Sequence, residues 1–438
     1  MKHLLILLGL FSFTLQAQKP FQAFLIPSEL KKNANSVMHT DSMHISIPSA
    51  DRQLVYKKRV ITVLNKNGNK NVNAYGHYSN TQRIKHIRAT IYNALGVEEK
   101  VFKRKDFTDA STVSGGTLYS DDRVLYLNYT PTTYPYTIAF TLEYETSTTA
   151  FIEPWYHIEN YYTSSEGSVY EIAYNPELEL RFKKFNLNDS IQIQEQPGHF
   201  KIKAHAIKAI EPESYSPSFN KTVPNVLFAL GKFMLEGVLG EANTWEDFGK
   251  WRYNHLIKGL DALPEHIVAE ATKVVAGATT QKEKVKRLYQ YMQDKTRYIS
   301  VQLGIGGWKP YPAEEVERLG YGDCKGLTNY TKALLKSQGI TSNYAVVWAG
   351  SEQKSMDPTF ASMQGNHVIL NVPIEGEELW LECTNQAMPF NFLGDFTDNR
   401  DALLLTPSGG ILKRTHTYTT ENNKLDTQVN CEVTDQIN

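Results

Sequence analysis

Gly320-Tyr-Gly-Asp-Cys-Lys-Gly-Leu-Thr-Asn-Tyr-Thr-Lys-Ala-Leu-Leu-Lys-Ser-Gln-Gly339 is the run that decides how this chain is read. Leu327, Thr331, Leu334 and Leu335 recur at helical spacing, Gly339 is a natural helix stop, and Asp323 has the short acceptor side chain of an N-cap. The spacing predicts a buried helix with Cys324 in its first turn. There the partial positive charge of the helix end favours thiolate over thiol, and the thiolate is the form that attacks a carbonyl. Taken alone, a single Cys in such a helix reads instead as a small buried residue. The choice turns on whether the chain also supplies a base.

A thiolate enzyme needs a His that a third group orients. Residues 366–372 and 379–384 read as two strands flanking a turn at 373–378. A hairpin centred between Ile374 and Glu375 sets His367 opposite Glu382 on one face, with Cβ atoms about 5 Å apart, the spacing at which a carboxylate can hold an imidazole. Cys383, one residue on, then faces away from Cys324.

Residues 51–203 follow mostly a period of two, as strands with one buried face do. Ile138, Phe140, Leu142 and Tyr144 alternate with Ala139, Thr141 and Glu143, and turn-prone runs such as Asn65-Lys-Asn-Gly-Asn69 separate the segments. The expectation is an antiparallel, sandwich-like β domain over residues 45–215. Residues 211–220 mix Pro, Ser and charge without period and mark a boundary. Beyond it the period turns helical: Thr280-Gln-Lys-Glu283 is a capping box, and Val285, Leu288, Tyr289 and Met292 share one face. An α+β domain with a helical lead-in is placed at 226–408. Residues 411–438 return to short alternation, either completing an earlier sheet or starting a further, truncated β segment.

Lys2, the apolar stretch from Leu4 to Leu15 and the small Ala17 read as a secretory signal peptide over residues 1–17, too short for the roughly 20 apolar residues of a membrane span. The expected location is periplasmic or secreted. A formal net charge of -1 over 438 residues, with both signs intermixed, gives no electrostatic footprint for nucleic acid or a membrane surface. The cysteines Cys324, Cys383 and Cys431 imply no disulfide framework, and there is neither a C-x-x-C pair nor an H-E-x-x-H run to seat zinc. No metal and no cofactor is expected. The sequon Asn329-Tyr-Thr331 falls inside the predicted buried helix, where a glycan has no room, which fits a bacterial cell. Asp395, Asp398 and Asp401 lack the spacing of a calcium loop and read as solvated.

The order Cys324, His367, acid, with the Gly-x-Cys helix start, Gly339-Ile340 and the tryptophan-acid-x-Thr strand at Trp380, resembles the transglutaminase-like branch of the papain-type thiol enzymes. Arg297-Tyr-Ile-Ser-Val-Gln-Leu-Gly-Ile-Gly-Gly-Trp-Lys-Pro310 and Phe396-Thr-Asp-Asn-Arg400 are similar to an exported bacterial group in which that domain follows a β domain called DUF3857. The resemblance implies Cys324 as nucleophile, His367 as general base and acid, and Glu382 as orienting carboxylate. The superfamily usually has Asp where this chain has Glu382, and the longer side chain must bend to reach the same nitrogen. A side-chain N–H for the oxyanion comes from Gln302 or the indole of Trp308, each of which also reads as a packing residue. Tyr321 and Asp323 flank the nucleophile and shape the site.

Two function classes follow. One is a cysteine acyltransferase or peptidase/amidase acting on a peptide or protein, including those of the cell envelope, through a thioester. The other is an inactive scaffold or binding module that keeps the fold as a recognition surface, in keeping with the Glu382 substitution.

Overall fold

The computed structural model describes residues 21–113 and 117–432. The signal-peptide reading of residues 1–17 lies outside them. The first half is built on a nine-stranded sheet, ordered Ile191–Gln196, His199–Ala204, Ser168–Tyr174, Ser36–Ser49, Arg52–Val63, Tyr136–Thr146, Gln82–Asn93 and Glu98–Lys103, with Thr163–Ser165 also pairing with Ser36–Ser49. The period-two reading shows directly: Ile138, Phe140 and Leu142 are buried, while Ala139, Thr141 and Glu143 are half-buried. Most neighbours are antiparallel. Ser36–Ser49 instead runs parallel to Thr163–Ser165 and Ser168–Tyr174, because the chain returns to its free edge only after a long excursion through the rest of the sheet.

Two small sheets cover this one. Tyr75–Tyr78, Arg123–Tyr126 and Thr108–Ser111 form the first, and Leu125 packs there with Ile84, Ile138, Phe140 and Leu142. The second is Trp155–Tyr156, Asn225–Leu230 and Leu180–Phe185. Its Phe228 stacks on Tyr170 with ring centroids 5.0 Å apart. Asn225–Leu230 therefore belongs to the β half by pairing, and the helical part starts later than residue 226, at Trp245–Arg252. Thr244 caps that helix through a reciprocal box with Asp247.

The second half is a five-stranded antiparallel sheet, ordered Glu377–Leu381, His367–Ile374, Asn343–Val347, Asp401–Thr406 and Gly409–Arg414. Residues 411–414 thus close this sheet rather than opening a further β segment, and residues 415–432 contain no strand. Helices Glu265–Val274, Gln281–Lys295 and Cys324–Ser337 share a core with Leu370, Val372, Leu379 and Leu381. Val285, Leu288, Tyr289 and Met292 are all buried there. Only half of the predicted capping box forms: Thr280 accepts from Glu283 N at 3.1 Å, whereas the Glu283 carboxylate accepts from Thr279 N instead.

Helix Trp245–Arg252 lies on the Gly409–Arg414 edge so closely that a Cβ on Gly249 would come within 2.1 Å of Gly410 Cα. Only glycine on both sides allows that approach. The halves are joined by a shared core: one apolar cluster runs from Ile47, Ile172 and Phe228 through Trp245 and Phe248 to Tyr344 and Leu403. No helix among the described residues is long and apolar enough to cross a membrane.

Candidate active site

Cys324 opens the helix Cys324–Ser337, as the spacing predicted. Asp323 is its N-cap: Oδ1 accepts from Gly326 N at 2.9 Å, and the other oxygen pairs with the buried ammonium of Lys325. The helix is buried on several faces. Leu327, Thr328, Asn329, Tyr330 and Thr331 are all fully enclosed, and Asn329 donates to the Leu260 and Tyr311 carbonyls at 2.7 and 3.2 Å. Its amide is spent on that anchoring, which fixes the start of the helix and with it the half-buried Cys324.

His367 is the first residue of its strand and pairs through the backbone with Val347. Its Nε2 lies 2.9 and 3.2 Å from the two carboxylate oxygens of Glu382, and the Cys324 thiol is near enough to help raise its pKa. Glu382 accepts further bonds from Thr384 N at 3.0 Å and Thr384 Oγ1 at 2.6 Å. The three residues singled out in the sequence are therefore brought together around one imidazole.

The register that does this differs from the expected one. Ile374 pairs with Glu377 and Leu370 with Leu381, so the turn is centred between Glu375 and Gly376, one residue later than predicted. Gly376 at φ +71° takes the left-handed position, which it alone in that loop adopts without strain. The ladder ends at Leu381, and its continuation would set His367 against Thr384, leaving Glu382 on the diagonal. Diagonal neighbours are farther apart than direct ones. The extra methylene of Glu spans that offset, so it reaches out rather than bending back.

Electrostatics follow from this geometry. Burial pushes the His367 imidazole toward neutrality, but the Glu382 charge, the nearby Cys324 thiol and the hydrogen bond with Glu382 outweigh it and raise its pKa to about 10. Burial pushes the Glu382 carboxyl up, yet the His367 charge and the bonds from His367 and Thr384 hold it below the ordinary range. Cys383 is wholly buried in the helix–sheet core, and burial raises its thiol to about 12. Neither it nor Cys324 is in a disulfide.

Several neighbours were not singled out as site residues. Phe396 meets the His367 ring edge-on, centroids 5.3 Å apart, and covers it from the solvent side. Arg400, almost fully buried, pins that loop by donating to the carbonyls of Trp348, Asp395 and Asp398 at 2.8–2.9 Å. Burial, then the nearby Cys324 and Asp323, raises the Tyr298 hydroxyl to about 12. The Phe396–Arg400 run and Arg297-Tyr298 were visible as family-like sequence, without their roles. Asp398 and Asp401 face Arg400 and Arg414. Among the described residues no group of three His, Cys, Asp or Glu side chains could hold a metal ion.

The oxyanion candidates separate. Gln302 is exposed, and its amide donates to Ser300 Oγ at 3.1 Å. Trp308 is half-buried and packs, with Cys324, against the apolar cluster shared by both halves. The indole N–H of Trp348, packed against the same cluster, is buried without an acceptor and is a donor the sequence reading missed. Tyr321 pairs with Arg297, a backbone ladder that sets the turn into Cys324. A cavity of about 840 Å³ lies at Glu177–Glu179, Lys232 and Trp251, and none of Cys324, His367 and Glu382 lines it.

Residues 49–211 match DUF3857, a domain of unknown function with a solved structure, and residues 269–384 match the transglutaminase-like superfamily. The chain carries a DUF3857 domain followed by a transglutaminase-like domain. The second match spans Cys324, His367 and Glu382. A crystal structure of a candidate protease from Parabacteroides distasonis shares the fold, with a TM-score of 0.61 at 14% identity over 88% of this chain and 72% of its own. The M1 zinc metallopeptidase from Deinococcus radiodurans overlays at a TM-score of 0.21 and 8% identity, over 59% of this chain and 53% of its own, too weakly to bear on the fold. No curated protein matches the chain.

Proposed function

We propose that this protein is a thiol-dependent acyl-transfer enzyme acting on a peptide or protein amide. The observation that carries the proposal is the imidazole of His367 held between the buried Glu382 carboxylate and Cys324 at a helix N-terminus. Glu382 keeps the ring protonated and oriented through Nε2, which leaves Nδ1 for the sulfur. Sγ attacks the amide carbonyl, the C–S bond forms, and His367 gives its proton to the departing amine as the C–N bond breaks. The product is a thioester, which water or an amine then resolves, with His367 taking the proton of the acceptor. The first amides of the helix and the indoles of Trp308 and Trp348 are the donors at hand for the oxyanion.

The chain is further proposed to be exported, from the residue 1–17 pattern; N-terminal sequencing of the secreted or periplasmic protein should find Gln18 first. The chemistry is tested by the rate of Cys324 alkylation with iodoacetamide against pH, in the wild type and in His367→Ala. Fast labelling that persists well below the free thiol pKa of about 8.5 and disappears in the variant supports the enzyme. An ordinary thiol curve in both proteins sinks it and leaves the binding-module reading.

A further inference from the structure

The DUF3857 half reaches the candidate active site through backbone. Ile299 N donates to Gly322 O at 3.0 Å, two residues before Cys324, and the chain then runs directly into the strand Ser300–Gln302. That strand pairs in parallel with Thr117–Ser120 of the first half, Ser300 with Thr117 and Gln302 with Ser120. Gly304 N donates to Asp121 Oδ1 at 3.2 Å just beyond the ladder. From the same half, Phe151 lies against Trp308, ring centroids 5.2 Å apart.

This junction is open and apolar. Among the described residues the two strands pair only with each other, so each keeps an edge of unpaired backbone N–H and C=O groups. Leu118 is 55% and Tyr119 64% exposed; Leu303, next after the paired Gln302, and Phe151, on Trp308, are exposed as well. Side chains of this kind on an open edge, continuous with the nucleophile turn, suit an extended peptide that adds main-chain hydrogen bonds to the ladder and seats apolar side chains alongside. A charged chain gains nothing from these four residues.

We infer that the DUF3857 half forms one wall of the substrate groove, and that Leu118, Tyr119 and Phe151 select an extended peptide with apolar or aromatic side chains for Cys324. This rests on the acyl-transfer reading above. It assigns the first half a specificity role, which neither domain match states.

The test compares labelling of Cys324 in the full chain by two reagents. Iodoacetamide reads the thiol alone. A tripeptide chloromethyl ketone bearing phenylalanines must occupy the groove before Sγ displaces its chloride and forms the C–S bond; a matched reagent bears glutamates. The wild type is expected to react faster with the phenylalanine reagent than with the glutamate one. In L118S/Y119S, and separately in Phe151→Ser, the ratio of phenylalanine-reagent to iodoacetamide rates is expected to fall about tenfold, the scale on which apolar contacts discriminate. Both sites are exposed, and the ratio cancels any loss of folded protein. An unchanged ratio in both variants, or no preference in the wild type, overturns the inference while leaving the enzyme reading intact. Concentration-dependent dimerisation lost in L118S/Y119S, with the ratio unchanged, would assign the edge to a second copy of the chain and overturn it too. An ordinary iodoacetamide pH curve fails both readings together.

Discussion

Glu382 carries the geometry of the site at the scale of single residues, because it stands on the diagonal of its hairpin from His367 and spans the gap with one more methylene than Asp has. Replacing it by the residue its superfamily usually has should therefore weaken this site. In Glu382→Asp the carboxylate falls short of Nε2, and NMR titration of His367 should show its pKa dropping from about 10 toward the unperturbed 6.5. A His367 that still titrates near 10 in that variant would falsify the diagonal account. The same pair sets a pH dependence of folding. Below about 6.5 folded and unfolded chains both hold the His367 proton, and its stabilisation is fully present. Between there and about 10 only the folded chain keeps the proton, so stability falls as pH rises. The Glu382 contribution runs the other way: it is present above about 4.5 and lost as pH falls through the lowered folded value. Urea midpoints of the wild type should therefore decline from pH 6.5 to 10, and in His367→Gln that decline should be shallower.

Elements place these residues, and here the sequence was legible unevenly. The helix at Cys324 could be read because an N-cap, an apolar stripe and a Gly stop agree with one another. The hairpin could be read as a hairpin but not in register, since pairing His367 directly with Glu382 centres the turn one residue before the position that Gly376, the one residue suited to a left-handed turn, requires. Cys324, His367 and Glu382 emerged from chemistry in linear order, whereas Phe396 reaches His367, and Arg400 the Trp348 carbonyl, through loops that only folding brings together. The cap gives a prediction of its own. Asp323→Ala removes the bond to Gly326 N, worth about 1 kcal/mol, and leaves Lys325 buried without its partner, a loss of roughly 3–5 kcal/mol in comparable cases. Asp323→Asn keeps an acceptor for Gly326 and should recover only the smaller part. Urea denaturation of both variants checks this; an Asp323→Asn variant as stable as the wild type would mean that the ion pair with Lys325 contributes nothing.

Across the whole molecule, the sequence suggested two domains joined by a boundary, and the structure joins them by a shared core. The boundary was legible as a change of period, but no local pattern announces that Phe228 on one side and Trp245, Phe248, Tyr344 and Leu403 on the other belong to one apolar cluster. Burial shared in this way couples the stabilities of the two halves, because neither can open without exposing the other's side of the cluster. Phe228 tests the coupling. It is nearly fully buried, stacked on Tyr170 and edge-on to Phe200, on the DUF3857 side. Phe228→Ala should cost about 3–5 kcal/mol. In native-state hydrogen exchange the most protected amides of helix Cys324–Ser337 should lose protection by the same amount as those of strand Ser168–Tyr174. If the halves fold independently, the loss stays within the first half and the Cys324 helix keeps its wild-type protection. The coupled outcome would also mean that a substitution remote from the nucleophile lowers the fraction of competent enzyme without altering the chemistry of the site. In that case Phe228→Ala should show a normal iodoacetamide pH profile at Cys324 in its folded fraction and a lower urea midpoint.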